Sequence, residues 1–314
     1  MTSEKQKLLL AVDGSQGSLD VIRYVAGICS PAATAVTLFH VLSSVAESYW
    51  DVEAAPIETP DNGPVSTSLA NRRAVMEAFM DDACRALRDK GFPDAAVRVV
   101  IQPRREGVAR DILKEAAGGY GTVVAGKTGH NPITRLVMGS VASKLVTALT
   151  ESTLWLVDGQ PDCRKVLVCI DGSPATPGVI NHVGRMLAAS PVKITLFHAI
   201  RNPLREAVDS SDSSIAQAVA NWETAVRKAM VPVFERAVES LKENGISENR
   251  VTVKVVSGVA TRGGTLYAQA LQGDYGTIVV GRRGMSHVKA FPIGRVPMKL
   301  VQLIKDQTVW VVSG

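Results

Sequence analysis

Residues 122–149 read TVVAGKTGHNPITRLVMGSVASKLVTAL, and this stretch decides the fold. The run TVVAG is apolar on both faces, as a strand inside a helix-covered parallel sheet must be. Glycines then stand at Gly126, Gly129 and Gly139, with a hydroxyl at Ser140. Glycine tolerates positive φ and close backbone approach, so three of them behind a buried strand predict a loop shaped around a ligand. The next residues, VASKLVTAL, place Val141, Leu145 and Leu149 four apart and read as a helix. A helix start carries unpaired N–H groups and the positive end of the dipole, which suits an anion such as phosphate. Strand, glycine loop and helix together predict a phosphate cradle.

The stretch occurs twice. YGTVVAGKTG (120–129) matches YGTIVVGRRG (275–284), and STLWLVDG (152–159) matches QTVWVVSG (307–314), both at an offset of 155. Further upstream, LLLAVDGS (8–15) matches VLVCIDGS (166–173), and TLFH recurs at 37–40 and 195–198, at an offset of 158. Such self-similarity marks a duplicated unit. The predicted domains are residues 1–159 and 163–314, joined by the short segment DGQPDCRK at 158–165.

In the first copy, strands are predicted near 7–12, 35–41, 96–102, 121–125 and 153–157, and helices near 17–29, 67–90, 107–118 and 140–149. Alternating β and α segments with strands apolar on both faces give an α/β class. The expected architecture is two tandem, doubly wound, five-stranded parallel-sheet domains of Rossmann-like type. Ligands in such folds bind beyond the carboxyl ends of strands, where Asp13, His40 with Val41, and Gly126 all fall. The irregular stretch from Leu42 to Ser68, with Pro56, Pro60 and Pro64, leaves the same edge and is read as a lid or a disordered insertion. In the second copy a long helical pattern contains Pro232, which is expected to kink or split it.

Composition narrows the function classes. At 314 residues, with 46% hydrophobic and 21% charged residues, the chain suits two globular domains, not a disordered or membrane protein. A net charge of +5 spread over both halves and an aromatic content of 5% argue against a nucleic-acid surface. Cys29, Cys84, Cys163 and Cys169 form no CxxC pair, and the five histidines form no metal motif. Free thiols and a cytoplasmic location are expected, because the apolar run near the N-terminus ends at Asp13 and nothing approaches the ~20 residues of a membrane span.

The series of a VDGS-ended strand, a TLFHV strand and G-x2-G-x9-G-S before the last helix and strand resembles the universal stress protein family in its tandem, two-domain form. The resemblance covers essentially the whole chain, once per half, and belongs to the wider adenine nucleotide α-hydrolase-like class. By similarity to the ATP-binding branch, Asp13 and Val41 would contact the adenosine end of ATP. Gly126, Gly129, Gly139, Ser140 and the amide of Val141 would hold the ribose and phosphates. The structural alternatives are an Asx-type turn or helix cap for Asp13 and a plain N-cap for Ser140. Lys127, His130 and Arg135 offer extra charge beside the loop, although loop cations are usually just solvated. His40 and His198 are read as packed beside the crevice, not as catalytic bases.

The second copy departs from the pattern. Asp171, Gly281, Gly284 and Gly294 are kept, but Arg295 replaces the hydroxyl, Pro297 enters the first helical turn and Ala199 stands where Val41 did. Proline removes a donor that an anion would use, while Arg295, helped by Arg282 and Arg283, is expected to fill the site or take a different anion. Weaker or altered nucleotide binding follows for this half.

The resemblance implies an ATP-binding, nucleotide-dependent stress-response or signalling module, with magnesium as an optional companion of the nucleotide. It also implies an intramolecular pseudo-dimer through the final strands, TLWLV and TVWVV; simple core burial is the alternative, and association of two chains stays open. No dedicated catalytic residue is identified, and slow ATP hydrolysis or autophosphorylation, seen in some relatives, stays open. A nucleotide-free scaffold is the second reading. An adenylyl-transfer enzyme ranks lower, because DGSQGS stands where an SGGxDS-type loop is needed and HIGH is absent. Neither a Walker A loop nor a GxGxxG fingerprint is present.

Overall fold

The computed structural model describes residues 5–43, 64–129, 138–201, 213–259, 261–284 and 292–313. Its first half runs β1 (Gln6–Ala11), α1 (Gln16–Ile28), β2 (Thr34–Leu42), α2 (Pro64–Asp89), β3 (Val97–Pro103), α3 (Val108–Ala116), β4 (Thr122–Gly126), α4 (Ser140–Ala148) and β5 (Thr153–Val157). The second half repeats the series as β6 (Lys165–Cys169), α5 (Thr176–Leu187), β7 (Lys193–Arg201), α6 (Ser213–Glu243), β8 (Val251–Val259), α7 (Arg262–Gln272), β9 (Thr277–Gly281), α8 (Arg295–Leu303) and β10 (Thr308–Val312). The order of elements agrees with the sequence pattern, with edges moved by a few residues. Two differences have a physical reason. α2 starts at Pro64, where proline suits a first turn because its missing N–H would be unpaired anyway. α6 passes through Pro232 as one helix of 31 residues, so the expected split does not occur. Packing of Met230, Phe234, Ala237 and Leu241 into the core holds both sides of the proline in register.

The ten strands form one sheet in the order β3-β2-β1-β4-β5-β10-β9-β6-β7-β8. Every neighbouring pair is parallel except β5 and β10, which meet antiparallel at the centre. The last strand of each half is therefore no edge strand, and the halves form the pseudo-dimer that the family resemblance implies. In each half the chain winds outward from β1 or β6, then returns to the other side of that strand. This leaves a topological switch point between β1 and β4 and another between β6 and β9, the place where open α/β sheets bind ligands.

Helices α1, α2, α5 and α6 cover one face and α3, α4, α7 and α8 the other. Each covering layer packs into an apolar cluster drawn from both halves, so the core is shared across the seam. At the centre Trp155 lies opposite Trp310 in the β5–β10 register, and their rings stack with centroids 3.9 Å apart and planes within 2°. Burying an aromatic ring of this size removes about 200 Å² from water, worth roughly 5 kcal/mol per ring. Both indole N–H groups cross the seam. Trp310 Nε1 donates to the Tyr24 hydroxyl of α1 at 2.9 Å, and Trp155 Nε1 donates to His182 Nε2 of α5 at 3.2 Å. Among the described residues, no helix is long and apolar enough to cross a membrane.

Candidate functional site

The first crevice is built where β1 and β4 end side by side. Strand register pairs Ala11 with Phe39 on one side and Ala125 on the other, so Asp13, Val41 and Gly126 fall within two residues of one another in level at the carboxyl ends of β1, β2 and β4. His40 fixes this edge: its Nδ1 bonds the Val12 carbonyl at 2.8 Å, and because a carbonyl only accepts, Nδ1 carries the proton. Asp13 is fixed in turn. Its Oδ1 accepts the Ser15 N–H at 2.9 Å and the Ser18 hydroxyl at 2.7 Å, while its own N–H donates to Ser18 Oγ at 2.8 Å. The Asx-type turn considered from the sequence is present, and Ser15, not Asp13, caps α1.

The other carboxylate oxygen faces the glycine loop. A methyl group on Gly129 would come within 3.0 Å of Asp13 Oδ2, and one on Gly17 within 2.7 Å of the Thr128 carbonyl. These contacts show why glycine stands at both positions: the loop lies against the carboxylate and the start of α1. The loop closes on itself, with the Gly139 N–H donating to the Lys127 carbonyl at 2.9 Å. Gly139 is the N-cap of α4 and brings no side chain to it, so Ser140 is the first helical residue and not the cap. Ser140 is exposed and Val141 half-buried. Val41 is buried in the same apolar cluster as Phe39 and Ala142, which leaves its backbone as the part that a ligand can meet.

Asp13, Gly126, Gly129, Gly139 and Ser140 are therefore brought together at one strand edge, with a helix start beside a fixed carboxylate. Such an edge suits a ligand with hydrogen-bond donors at one end and negative charge at the other.

The second crevice keeps the outline and changes the fittings. His198 Nδ1 bonds the Ile170 carbonyl at 2.8 Å, as His40 does for Val12, and Asp171 Oδ1 accepts the Ser173 N–H at 3.0 Å. Burial is the main cause that holds the His198 ring below the usual histidine range. The hydroxyl equivalent to Ser18 is Thr176 Oγ1, which is buried with no hydrogen-bond partner among the described residues. Ala175 replaces Gly17, and a methyl group on Gly281 would meet its Cβ at 3.5 Å. Gly294 caps α8, Arg295 is exposed at its first position, and Pro297 is buried in its first turn.

Two charges beside the loops are neither solvated nor at the crevices. Lys127 does not face the first crevice. It is 3% exposed, and its Nζ crosses the seam to donate to the carbonyls of Ile304 at 2.6 Å and Gln302 at 3.3 Å. Burial pulls its ammonium below the usual lysine range, with Asp158 opposing. Nor does Arg282 support Arg295. It is 4% exposed and turned the opposite way, with Nη1 donating to the Val146 carbonyl of α4 at 2.8 Å. Its position directly after a strand whose first four residues are buried makes the side chain follow the sheet inward, toward helix ends whose carbonyls lack partners. His130, Arg135 and residues 44–63 of the long connection lie outside the described residues. No three His, Cys, Asp or Glu side chains among the described residues cluster as a metal site.

A doubly wound sheet with a glycine loop and a strand-end carboxylate at each switch point defines a tandem pair of Rossmann-like domains. The model described as the universal stress protein family matches residues 5–154 and again 163–313, so the chain belongs to that family and carries its domain twice. A universal stress protein of Mycolicibacterium smegmatis is 23% identical over 230 residues, covering 69% of this chain and 74% of that protein. The crystal structure of a universal stress protein from Archaeoglobus fulgidus aligns with a TM-score of 0.63 at 14% identity, covering 99% of this chain and 97% of that one. A functionally unknown protein from Pseudomonas aeruginosa aligns with a TM-score of 0.59 at 14% identity, covering 98% and 92%. At such identities the structural likenesses speak for the fold.

Proposed function

We propose that the chain binds one ATP, alone or with magnesium, in the first crevice and acts in the cytoplasm as a nucleotide-dependent stress or signalling module. Asp13 and the backbone of Val41 take the adenosine end. Gly126, Gly129, Gly139, Ser140 and the Val141 amide take the ribose and phosphates. The working division is 1–159 for the binding domain and 163–314 for the divergent one. No side chain is assigned a catalytic role.

The reading is carried by one observation: a carboxylate locked by Ser15 and Ser18 sits against a glycine loop that ends in an α-helix with only glycine at its cap. A helix start of this kind stabilises nearby negative charge by roughly 0.3–1 kcal/mol even when exposed. For the second half, Pro297 in the first turn and the Thr176 hydroxyl, buried without a partner among the described residues, favour the alternative of a nucleotide-free scaffold. Calorimetric titration of ATP into the full chain and into Gly139→Val tests the assignment. A branched side chain there would press on the Lys127 carbonyl, 3.4 Å from the added Cβ, and on the Gly129 N–H. Binding is expected to fall by more than tenfold, and unchanged affinity would remove the loop from the site.

A further inference from the structure

Lys127 and Arg282 stand at equivalent positions, each directly after the strand that feeds its glycine loop. Each uses its backbone and its side chain on different helices. The Lys127 carbonyl accepts the N–H of Gly139, the cap of α4, at 2.9 Å, while the Lys127 ammonium holds the end of α8 in the other half. The Arg282 carbonyl accepts the N–H of Gly294, the cap of α8, at 2.8 Å, while the Arg282 guanidinium holds the Val146 carbonyl near the end of α4. The final helix of each half is thus gripped at its start by its own loop and near its end by the loop of its neighbour.

We propose that this crossed pair of buried cations makes each crevice depend on the opposite half, with Arg282 acting as a positioning residue for the ATP site and Lys127 as its counterpart for the second crevice. The mechanism is electrostatic and mechanical. The last carbonyls of a helix have no partner within it, so a buried cation there both satisfies them and offsets the negative end of the dipole. α4 is only nine residues long, which puts Ser140 and Val141 at the crevice and Val146 under Arg282 on one rigid rod. A ligand that draws in the first turn of α4 therefore moves the group that Arg282 holds, and the second loop with it. Coupling of this kind is reciprocal by linkage. The two sides are unequal: Lys127 meets two carbonyls, whereas Arg282 leaves Nε and Nη2 buried without partners among the described residues. A lysine at 282 would meet the same carbonyl with fewer orphaned donors.

The ligand arm of this inference rests on the ATP reading, and the exchange arm does not. Amide hydrogen exchange on the ligand-free full chain is compared for wild type, Arg282→Met, Arg282→Lys and Lys127→Met. Arg282→Met is expected to speed exchange in residues 139–148 of the first half, Lys127→Met in residues 294–303 of the second, and Arg282→Lys to stay near wild type. ATP affinity should fall roughly three- to tenfold in Arg282→Met and hold in Arg282→Lys. If Arg282→Met does not fold, Arg282→Gln, which loses the charge and keeps a donor, should show the same pattern at smaller amplitude. Exchange changes confined to the half that carries the substitution, or a lysine variant that behaves like methionine, would overturn the proposal. If wild type takes up no ATP, the nucleotide assignment falls, and the exchange pattern alone decides the struts.

Discussion

The two crevices share a backbone plan and differ in how their carboxylates and helix starts are furnished. In the first, the Ser18 hydroxyl braces Asp13, and Gly17 lets the loop settle against α1. In the second, Thr176 stands in place of Ser18 without a hydrogen-bond partner among the described residues, Ala175 fills the space of Gly17, and Pro297 occupies the first turn of α8. A duplicated fold preserves what the sheet needs and lets the ligand edge drift, because the edge contributes little to the shared core. The seam shows the same rule in reverse. It keeps two stacked tryptophans in register while their partners differ, Tyr24 on one side and His182 on the other.

The largest expected effect breaks the seam. Trp310→Ala empties a fully buried site and leaves the Tyr24 hydroxyl without its indole donor, so a loss of about 3–5 kcal/mol is expected in denaturant unfolding. Trp155→Ala should cost a similar amount, and a large gap between the two would show that the halves contribute unequally.

The next effect is pH-dependent and belongs to one side only. Burial, with Arg185 as a lesser cause, pulls the His182 imidazole down to about 3. The unfolded chain therefore takes up a proton near pH 6.5 while the folded chain stays neutral. Stability from this group is whole above about pH 6.5 and is lost progressively as pH falls toward 3, by a few kcal/mol in all. His182→Tyr places at this position the residue that Tyr24 already provides at the equivalent one, with Thr122 in the place of Thr277. Urea midpoints of this variant should lose the part of the acid slope that wild type shows between pH 6.5 and 4; an unchanged slope would assign it to other groups.

Smaller effects sharpen the contrast between crevices. Ser18→Ala removes the brace from Asp13, and a loss of roughly 1 kcal/mol is expected in both stability and ATP binding. Thr176→Val, which removes a buried hydroxyl that bonds nothing among the described residues, should be neutral or stabilise by up to about 1 kcal/mol. Equal losses in the two variants, read from thermal unfolding, would contradict the asymmetry.

Most of the fold was legible because strands such as TVVAG and LLLA, apolar on both faces, have few alternatives once the repeat is seen. The crevice outline was legible for the same reason, since Asp13 and Gly126 fall at the carboxyl ends of strands. The crossed cations were not. Lys127 and Arg282 look like loop charges in one dimension, and only the antiparallel β5–β10 junction brings partnerless helix carbonyls within their reach. The Tyr24 and His182 bonds were hidden likewise, because each joins one half to the other. The divergence of the second crevice from the first was legible in Arg295 and Pro297. The Gly17 and Ala175 pair carried a further signal, visible by setting DGSQGS beside DGSPAT.

The stoichiometry of ATP on the intact chain tests the central claim most directly. Calorimetry should give one ATP per chain, lost in Gly139→Val and kept in Gly294→Val. Two equivalent sites in the wild type, or equal losses from both glycine substitutions, would contradict a protein with one binding half and one divergent half.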